Sequence, residues 1–300
     1  MNYIEQLRKR AEKVGNIVCV GLDPVLEKIP SEGCEEFVNK KSEPGKAIAK
    51  FYVTMLEGFV KEGVIPAIVK PNIAFYEQYG FEGLKALKEI MDKCKELEIP
   101  VLLDAKRGDI GKTSKAYAKA LFEVWKADAI TIAPYMGADS VGPFTKYCDN
   151  YSGENVENGK GVYILCRTSN NGAVDLQNLK TEDGTTIYMK TAEKLAGDWY
   201  KLGIGAVVGA TYIKELEQIS KFFVDSGKEI PLLIPGVGAQ GGSAKEVVEA
   251  LKNTGNELAL HRINSSSGIN FAYLKQGTDD YVGAAVNALK ELINELNQGQ

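Results

Sequence analysis

The sequence predicts an α/β fold of the (β/α)8 TIM-barrel type, formed by a single domain that spans residues 1–300. Three observations support this prediction. Short apolar runs alternate with amphipathic helical patterns from end to end, the alternation yields eight strand–helix units, and neither a low-complexity linker nor a repeat of fixed period divides the chain. The eightfold alternation favours a closed barrel, and pattern alone leaves an open doubly wound sheet as the alternative.

The predicted strands are short and almost wholly apolar, as expected for parallel strands that are buried on both faces. They cover residues 17–22, 65–69, 101–103, 129–132, 162–165, 206–208, 232–234 and 258–263.

The segments between the strands carry apolar residues at three- and four-residue intervals, which is the spacing of one helix face. The clearest helix covers residues 43–62, where Pro44 suits the first turn. Ser243 is a suitable N-cap for a helix over residues 244–253. A closing helix is expected near residues 279–296.

Two predicted loops are long. They cover residues 23–42, after the first strand, and residues 169–186, after the fifth. Both leave the carboxyl ends of strands, the face at which barrels carry their active sites. Each loop is therefore a candidate lid, with surface decoration as the alternative.

Composition and charge disfavour several functions. The net charge of -4 argues against nucleic acid or an anionic membrane as the main partner, although it allows one local basic pocket for a phosphate. No apolar run is long enough to span a bilayer, and the charged amino-terminal stretch does not resemble a secretory signal. We therefore expect a cytoplasmic protein that binds a small molecule.

The cysteines and the histidine narrow the chemistry further. The five cysteines, scattered and without a CxxC pair, are Cys19, Cys34, Cys94, Cys148 and Cys166. We expect them to be free, buried thiols. The single histidine, His261, lies inside an apolar run, which disfavours histidine-based triads and zinc sites. The spacing of a metal site is absent, and any catalysis is expected to depend on Lys, Asp, Arg, Ser and backbone groups.

Charged residues stand at the ends of the first three predicted strands. Asp23 follows the first, Lys70 the second, and Asp104 and Lys106 the third. Residues two apart on a strand can point the same way, and unpaired charges at a buried strand end are costly. A single Asp–Lys pair would be explained most simply as a structural ion pair. Four groups of alternating sign at one rim favour a catalytic array.

A glycine-rich loop, residues 235–242, follows the seventh strand and leads to Ser243. Glycines let the backbone approach an anion, and the amino end of the following helix directs N–H groups at it. Barrels often bind phosphate in the loops after strands seven and eight. The sequence therefore predicts a phosphate site across the rim from the charged array.

Together these motifs resemble orotidine 5′-monophosphate decarboxylases. The resemblance is carried by Gly21-Leu22-Asp23, Lys70, the DxKxxDI stretch at 104–110 and the PGVGAQGG stretch at 235–242. The chain length, with residues 131–137 and 167–172, is similar to the longer subgroup of that family. The match runs from Asp23 to Ile269, and its two longer motifs are highly specific in combination.

The resemblance implies decarboxylation of orotidine 5′-monophosphate to uridine 5′-monophosphate, without metal or cofactor, in a homodimer with shared active sites. Lys70, Asp104 and Lys106 would form the charge array with Asp109 of the partner subunit. Lys106 would donate a proton to C6 of the pyrimidine, and Asp104 would lie beside the departing carboxylate.

The same resemblance implies the remaining substrate contacts. Asp23 and Lys70 would hold the ribose hydroxyls, together with Thr113 of the partner subunit. Ser169 would bind the pyrimidine. The residues expected to line the base and phosphate end are Pro235, Gly238 and Gln240.

The chain departs from the family pattern at one position. An Asn-Ser-Ser-Arg pattern follows the eighth strand in the family, and its arginine grips the phosphate. Here the segment reads Asn264-Ser265-Ser266-Ser267. Arg262 precedes the strand end and is not expected to reach the same place. Either Ser267 marks a variant with weakened phosphate binding, or the glycine loop and neutral donors hold the phosphate.

Other functions remain open on sequence. In a magnesium-dependent sugar-phosphate decarboxylase of the same barrel class, an acidic residue would be expected at the position of Lys70. A Schiff-base aldolase would need a lysine of low pKa, whereas lysines between aspartates should stay protonated. A non-catalytic pyrimidine nucleotide-binding protein is suggested by Ser267 alone.

Overall fold

The computed structural model describes residues 1–30, 37, 39–149, 158–238 and 241–298. Eight parallel strands form one sheet in the order β2-β1-β8-β7-β6-β5-β4-β3. Single parallel bridges, Val69–Val101 and Asn72–Asp104, join β2 to β3 at the two ends of that order. The sheet therefore closes on itself, and the predicted barrel is confirmed. The strands are β1 Val18–Leu22, β2 Ile68–Pro71, β3 Leu102–Arg107, β4 Ala129–Ile132, β5 Gly161–Arg167, β6 Ile204–Val208, β7 Leu232–Ile234 and β8 Arg262–Ser265.

The helices of the described residues pack around the barrel and over its two ends. They are α1 Tyr3–Val14, α2 Pro44–Lys61, α3 Ala74–Glu77, α4 Gly80–Glu96, α5 Gly111–Lys119, α6 Ala138–Thr145, α7 Ile187–Ala196, α8 Ile213–Asp225, α9 Ala244–Asn253, α10 Ser267–Asn270, α11 Ala272–Gln276 and α12 Tyr281–Gln298. Short 3-10 turns cover Leu26–Lys28, Asn171–Asp175 and Leu258–Leu260, and a π-helical turn covers Ala120–Val124. None of these helices is long and apolar enough to cross a membrane, in so far as the chain is described.

The apolar core has two parts. The larger lies between the strands and the surrounding helices. The smaller fills the barrel interior and includes Tyr3, Ile4 and Leu7 of α1. Since these side chains close the amino-terminal end of the barrel, the opposite end, where the strands terminate, is left for a site.

Several predicted elements are confirmed. Strands β4 and β7 have the predicted bounds, and so does helix α9. Ser243 caps α9 by accepting a hydrogen bond from the backbone N–H of Glu246 at 3.3 Å. The described cysteines are free and buried, while Cys34 lies outside the described residues. Burial raises the pKa of the Cys19 thiol to about 12, so this thiol is not ionised near neutral pH.

The bounds predicted for the eighth strand were wrong. Leu258–Leu260 forms a 3-10 turn, and β8 begins only at Arg262. A short apolar run does not distinguish a strand from another buried segment. The Arg262 side chain is buried and donates to the backbone carbonyl of Leu7 at 2.8 Å. Since Leu7 lies at the amino-terminal end of the barrel, Arg262 points away from the strand ends, as predicted.

Candidate active site

Two opposite charges lie buried where β2 and β3 end. Lys70 Nζ is 3.0 Å from Asp104 Oδ2, and the two side chains are only 7% and 8% exposed. The bridge between Asn72 and Asp104 brings these strand ends together. Two charges so far from water persist only when each is paired.

Lys106 completes the predicted cluster on the same carboxylate. Its Nζ lies 2.7 Å from Asp104 Oδ1 and 2.8 Å from Oδ2. Unlike Lys70, the Lys106 side chain is 48% exposed. Asp104 therefore holds one buried ammonium group and one that faces the open end of the barrel.

Thr131 on β4 ties this cluster together, and the sequence analysis missed its role. Its hydroxyl donates to Asp104 Oδ1 at 2.7 Å and accepts from the backbone N–H of Lys106 at 3.0 Å. The only available signal was a polar residue inside an otherwise apolar strand. Thr131 thus fixes both the carboxylate and the backbone that carries the exposed lysine.

The electrostatics keep the buried pair ionised. Burial alone would raise the pKa of Asp104, but the charges of Lys70 and Lys106 outweigh it and hold that pKa well below its usual range. Burial alone would lower the pKa of Lys70, but the carboxylates of Asp104 and Asp23 raise it above its ordinary value. A cluster of this kind can present a fixed positive charge to a developing carbanion and can donate a proton.

Asp23 stands directly after β1, as predicted. The Tyr76 hydroxyl fixes the end of that strand by donating to the Leu22 carbonyl at 2.8 Å. Asp23 Oδ1 is buried and has no hydrogen-bond partner among the described residues. An unpaired carboxylate oxygen of this kind is an available acceptor for a ligand hydroxyl.

A cavity of about 230 Å³ opens beside Asp23, at the ends of β1, β7 and β8. Its lining residues are Asp23, Val25, Lys28, Phe75, Gly236, Val237, Asn264, Ser266, Ser267 and Phe271. The predicted phosphate position, Ser267, therefore lies in the same cavity as the first glycine of the loop after β7.

The glycine-rich loop is held in shape by its own backbone. The Gly238 N–H donates to the Gly242 carbonyl at 2.9 Å, and the Gly242 N–H donates to the Gly236 carbonyl at 3.0 Å. Gly238 has a φ of 80°, a conformation that favours glycine. The Pro235 carbonyl accepts from the Ala210 N–H at 2.8 Å. Gln240, predicted to bind substrate, lies outside the described residues.

Ser169 lies just beyond β5, where its carbonyl accepts from the Thr211 hydroxyl at 3.1 Å. The backbone just after β6 approaches it closely, because a Cβ on Gly209 would lie 2.7 Å from Ser169 Cα. Gln177 locks the adjacent Thr168, since its amide oxygen accepts from the Thr168 N–H at 2.9 Å. The loop that carries Ser169 is thus fixed at its start.

The structure does not bring Asp109 and Thr113 to the cluster within one chain. Asp109 Oδ1 accepts from the backbone N–H of Ile110 at 2.7 Å, and Thr113 is exposed. Among the described residues, neither side chain forms a hydrogen bond or ion pair with Lys70, Asp104 or Lys106. No group of three or more potential metal-ligating side chains occurs in the described ranges.

Comparison with known proteins places these features in a family context. The family model described as "Orotidine 5'-phosphate decarboxylase / HUMPS family" matches residues 16–275. A Halorubrum lacusprofundi protein named orotidine 5'-phosphate decarboxylase is 39% identical over 305 residues, covering 99% of each chain. A Clostridium acetobutylicum protein of the same name is 38% identical over 311 residues, covering 98% of this chain and 99% of the other.

The chain is also similar to solved structures of proteins with this name. The structure of Leishmania donovani OMP decarboxylase superposes with a TM-score of 0.73 at 32% identity, covering 100% of this chain and 98% of that one. A Streptomyces avermitilis protein described as a putative orotidine 5'-phosphate decarboxylase gives a TM-score of 0.77 at 28% identity, covering 99% and 95% of the two chains. The similarity thus extends over the whole barrel.

Proposed function

The chain belongs to the orotidine 5′-phosphate decarboxylase / HUMPS family, and we propose that it converts orotidine 5′-monophosphate to uridine 5′-monophosphate and carbon dioxide through its Lys/Asp network, without a cofactor. The observation that carries this proposal is the cluster at the ends of β2 and β3, where Asp104 pairs with Lys70 and Lys106. It supplies both the charge and the proton that the reaction needs.

In the proposed reaction the bond between C6 and the carboxylate breaks, and its electron pair remains on C6 as carbon dioxide leaves. The Lys106 ammonium group stabilises that negative charge only as it develops, so its effect is on the barrier. Lys106 then gives its proton to C6, and the neutral amine regains a proton from solvent. The 48% exposure of this side chain supports its assignment to the reacting side.

Asp104 has a different part in the proposal. Its depressed pKa keeps it ionised, and its two oxygens hold both ammonium groups. It therefore fixes the position of the proton donor beside the place of the departing carboxylate. Lys70 is buried and paired, which suits a binding and charge-balancing role better than proton transfer.

We assign the remaining substrate contacts to residues around the open end of the barrel. We assign the ribose hydroxyls to Asp23 and Lys70, because Asp23 has a buried oxygen available. The pyrimidine is assigned to Ser169. The base and phosphate end is assigned to the loop after β7 and to the opposite wall of its cavity, through Pro235, Gly238, Gln240 and Ser267.

We further propose a homodimer whose subunits share their sites. Asp109 and Thr113 form no hydrogen bond or ion pair with the cluster of their own chain among the described residues, and exposed apolar side chains occur in α5 and in the loops after β3 and β4. These side chains are Ile110, Tyr117, Tyr135 and Met136, with exposures of 53%, 36%, 89% and 45%. A second copy covering these side chains would bury them and could deliver Asp109 of the partner subunit to the cluster.

A turnover assay tests the function directly. Purified protein is incubated with orotidine 5′-monophosphate, and both nucleotide conversion and carbon dioxide release are followed. We expect conversion by the wild type and none by Lys106→Ala. Nucleotide binding without turnover at high enzyme concentration would contradict the proposal and favour a non-catalytic pyrimidine nucleotide-binding protein.

A further inference from the structure

We propose that Lys28, in the 3-10 turn after β1, supplies the positive charge for the substrate phosphate that Ser267 does not provide. The proposal rests on the proposed function for the identity of the nucleotide. It adds a binding residue in a segment that no sequence motif marks. It also gives a physical reason why a neutral side chain is tolerated at position 267.

The composition of the cavity favours a phosphate beside Lys28. Lys28 and Ser267 line the same space of about 230 Å³, together with Gly236 and Val237 of the loop after β7. Among its described lining residues, Lys28 has the only positively charged side chain, and Asp23 has the only negative one. A phosphate seated against the glycine loop would therefore have Lys28 as its cationic neighbour.

Lys28 lies close to the segment that carries Ser267. The Lys28 ammonium group lies 5.4 Å from the centre of the Phe271 ring. The Phe271 N–H donates to the Ser267 carbonyl at 3.1 Å, which places these two residues one helical turn apart. The cation thus lies beside the turn that begins at Ser267.

The backbone of Lys28 is held by hydrogen bonds, although the Lys28 side chain is exposed. The Lys28 carbonyl accepts from the Tyr273 hydroxyl at 2.5 Å. The next residue, Ile29, is buried, and its carbonyl accepts from the Lys40 ammonium group. Lys28 forms no ion pair with any described carboxylate. Its charge is therefore available to a ligand. Because the backbone of Lys28 is already held in place, ligand binding does not have to order this segment.

The chemistry suits a phosphate dianion. An ammonium group binds phosphate as a point charge on a flexible stem, whereas arginine binds it with two parallel bonds. Lys28 should therefore supply attraction with less geometric precision than an arginine at position 267. Because the site is open to solvent, the attraction should weaken as salt is added.

Equilibrium binding of uridine 5′-monophosphate and of uridine separates the phosphate contribution from the rest. The variants are Lys28→Gln, a polar side chain one atom shorter that removes the charge, and Lys28→Arg, which keeps the charge. Lys9→Gln is the matched control, because Lys9 is an exposed lysine of α1 at the other end of the barrel.

We expect Lys28→Gln to weaken uridine 5′-monophosphate binding about tenfold or more, the size of a lost charge-assisted contact, and to leave uridine binding unchanged. Lys28→Arg and Lys9→Gln should bind both ligands as the wild type does. Added salt should weaken nucleotide binding to the wild type more than to Lys28→Gln. An unchanged ratio of the two affinities in a folded Lys28→Gln protein would overturn the proposal.

A double variant tests whether positions 28 and 267 serve the same phosphate. Ser267→Arg should improve nucleotide binding more in the Lys28→Gln background than in the wild type, and equal gains would contradict a shared site. These measurements read binding rather than turnover. A wild type that binds the nucleotide but does not decarboxylate orotidine 5′-monophosphate would contradict the proposed function alone. An active wild type, together with unchanged nucleotide binding by Lys28→Gln, would contradict only the role of Lys28.

Discussion

The Lys106 ammonium group lies 2.7 Å from Asp104 Oδ1, two residues earlier in the chain, while the backbone of Lys106 has a φ of 44°. That left-handed conformation is unfavourable for a residue with a Cβ, by about 1–2 kcal/mol. The bond from the Lys106 N–H to Thr131 helps to hold it. The fold thus holds the proposed proton donor in a strained backbone conformation. Strained residues of this kind are common at functional sites.

Replacing Lys106 should separate activity from stability. Lys106→Ala and Lys106→Gly should each lower kcat by at least about 10³-fold, because proton donation and carbanion stabilisation are lost together. The free energy of unfolding of Lys106→Gly should nevertheless exceed that of Lys106→Ala by about 1 kcal/mol, because glycine adopts a positive φ without strain. Turnover measurements and urea unfolding of both variants check the two statements.

Lys61→Ala is a suitable control, since this exposed lysine at the end of α2 lies outside the site. It should be as active as the wild type. Near-normal turnover in a folded Lys106→Ala protein would remove Lys106 from the mechanism, and equal stability of the alanine and glycine variants would show that the backbone is not strained.

Hybrid dimers test the shared site. Lys106→Ala and Asp109→Ala should each be inactive, but mixing them should restore activity, because a hybrid holds one site with both residues intact. With random exchange, half of the dimers are hybrids with one working site of two, so about a quarter of wild-type activity is expected. No recovery, when subunit exchange is shown independently by mass spectrometry, would contradict a site shared between subunits.

Acid should destabilise the protein through its one histidine. His261 is fully buried, its Nδ1 accepts from the Leu232 N–H at 3.0 Å, and burial lowers its pKa to about 3 from an ordinary 6.5. Between these values the unfolded chain binds a proton that the folded chain does not. The contribution of His261 to folding stability is therefore fully present above about pH 6.5. Below that pH, the free energy of unfolding falls by about 1.4 kcal/mol per pH unit.

Urea unfolding at several pH values measures this slope. His261→Gln should show a flatter dependence between about pH 6.5 and pH 5, where no other histidine titrates. The depressed pKa of Asp104 acts in the same direction, but only below the ordinary aspartate range. If wild type and His261→Gln lose stability in parallel across that interval, the histidine is not the group responsible.

Chelation should leave activity unchanged. The Lys/Asp cluster takes its positive charge from Lys70 and Lys106, and the described residues contain no group of three or more potential metal-ligating side chains. Assays after dialysis against EDTA, with and without added magnesium, check this. Activity lost on dialysis and restored by magnesium would move the function to the metal-dependent class.

The sequence predicted the barrel well because its strands are apolar runs between helical patterns. It predicted Asp104 and Lys106 as a pair because residues two apart on a strand share a face. It placed the start of β8 too early, at residue 258, because the turn at Leu258–Leu260 is as apolar as a strand. The burial of Arg262 is explained by its hydrogen bonds to the backbone carbonyls of Leu7, Ala259 and His261.

The rest of the site could not be predicted, for two reasons. Lys28 lies in a loop turn with no periodic pattern, and its place beside Ser267 depends on contacts with Phe271 and Tyr273, which are about 245 residues away in sequence. The strained backbone of Lys106 depends on Thr131 of the neighbouring strand. Both are long-range effects that single-sequence patterns do not carry.

An arginine at position 267 should improve catalysis only for substrates that carry the phosphate. The phosphate is remote from C6, but its binding energy can order the loops and the charged array that act there. Ser267 is exposed and lines the cavity with Gly236, so a longer side chain has room to reach an anion. Ser267→Arg should raise kcat/KM for orotidine 5′-monophosphate by roughly tenfold to a few hundredfold, as one or two charge-assisted bonds form.

Ser267→Gln supplies the matched control, because it adds length and hydrogen-bonding capacity without charge, and it should gain little. Orotidine, which lacks the phosphate, should be turned over equally by wild type, Ser267→Arg and Ser267→Gln. A gain in Ser267→Arg that also appears with orotidine would mean that the arginine acts on the reacting end of the site. No gain with the full nucleotide would mean that position 267 does not face the phosphate, because a new cation beside a bound dianion cannot leave its affinity unchanged.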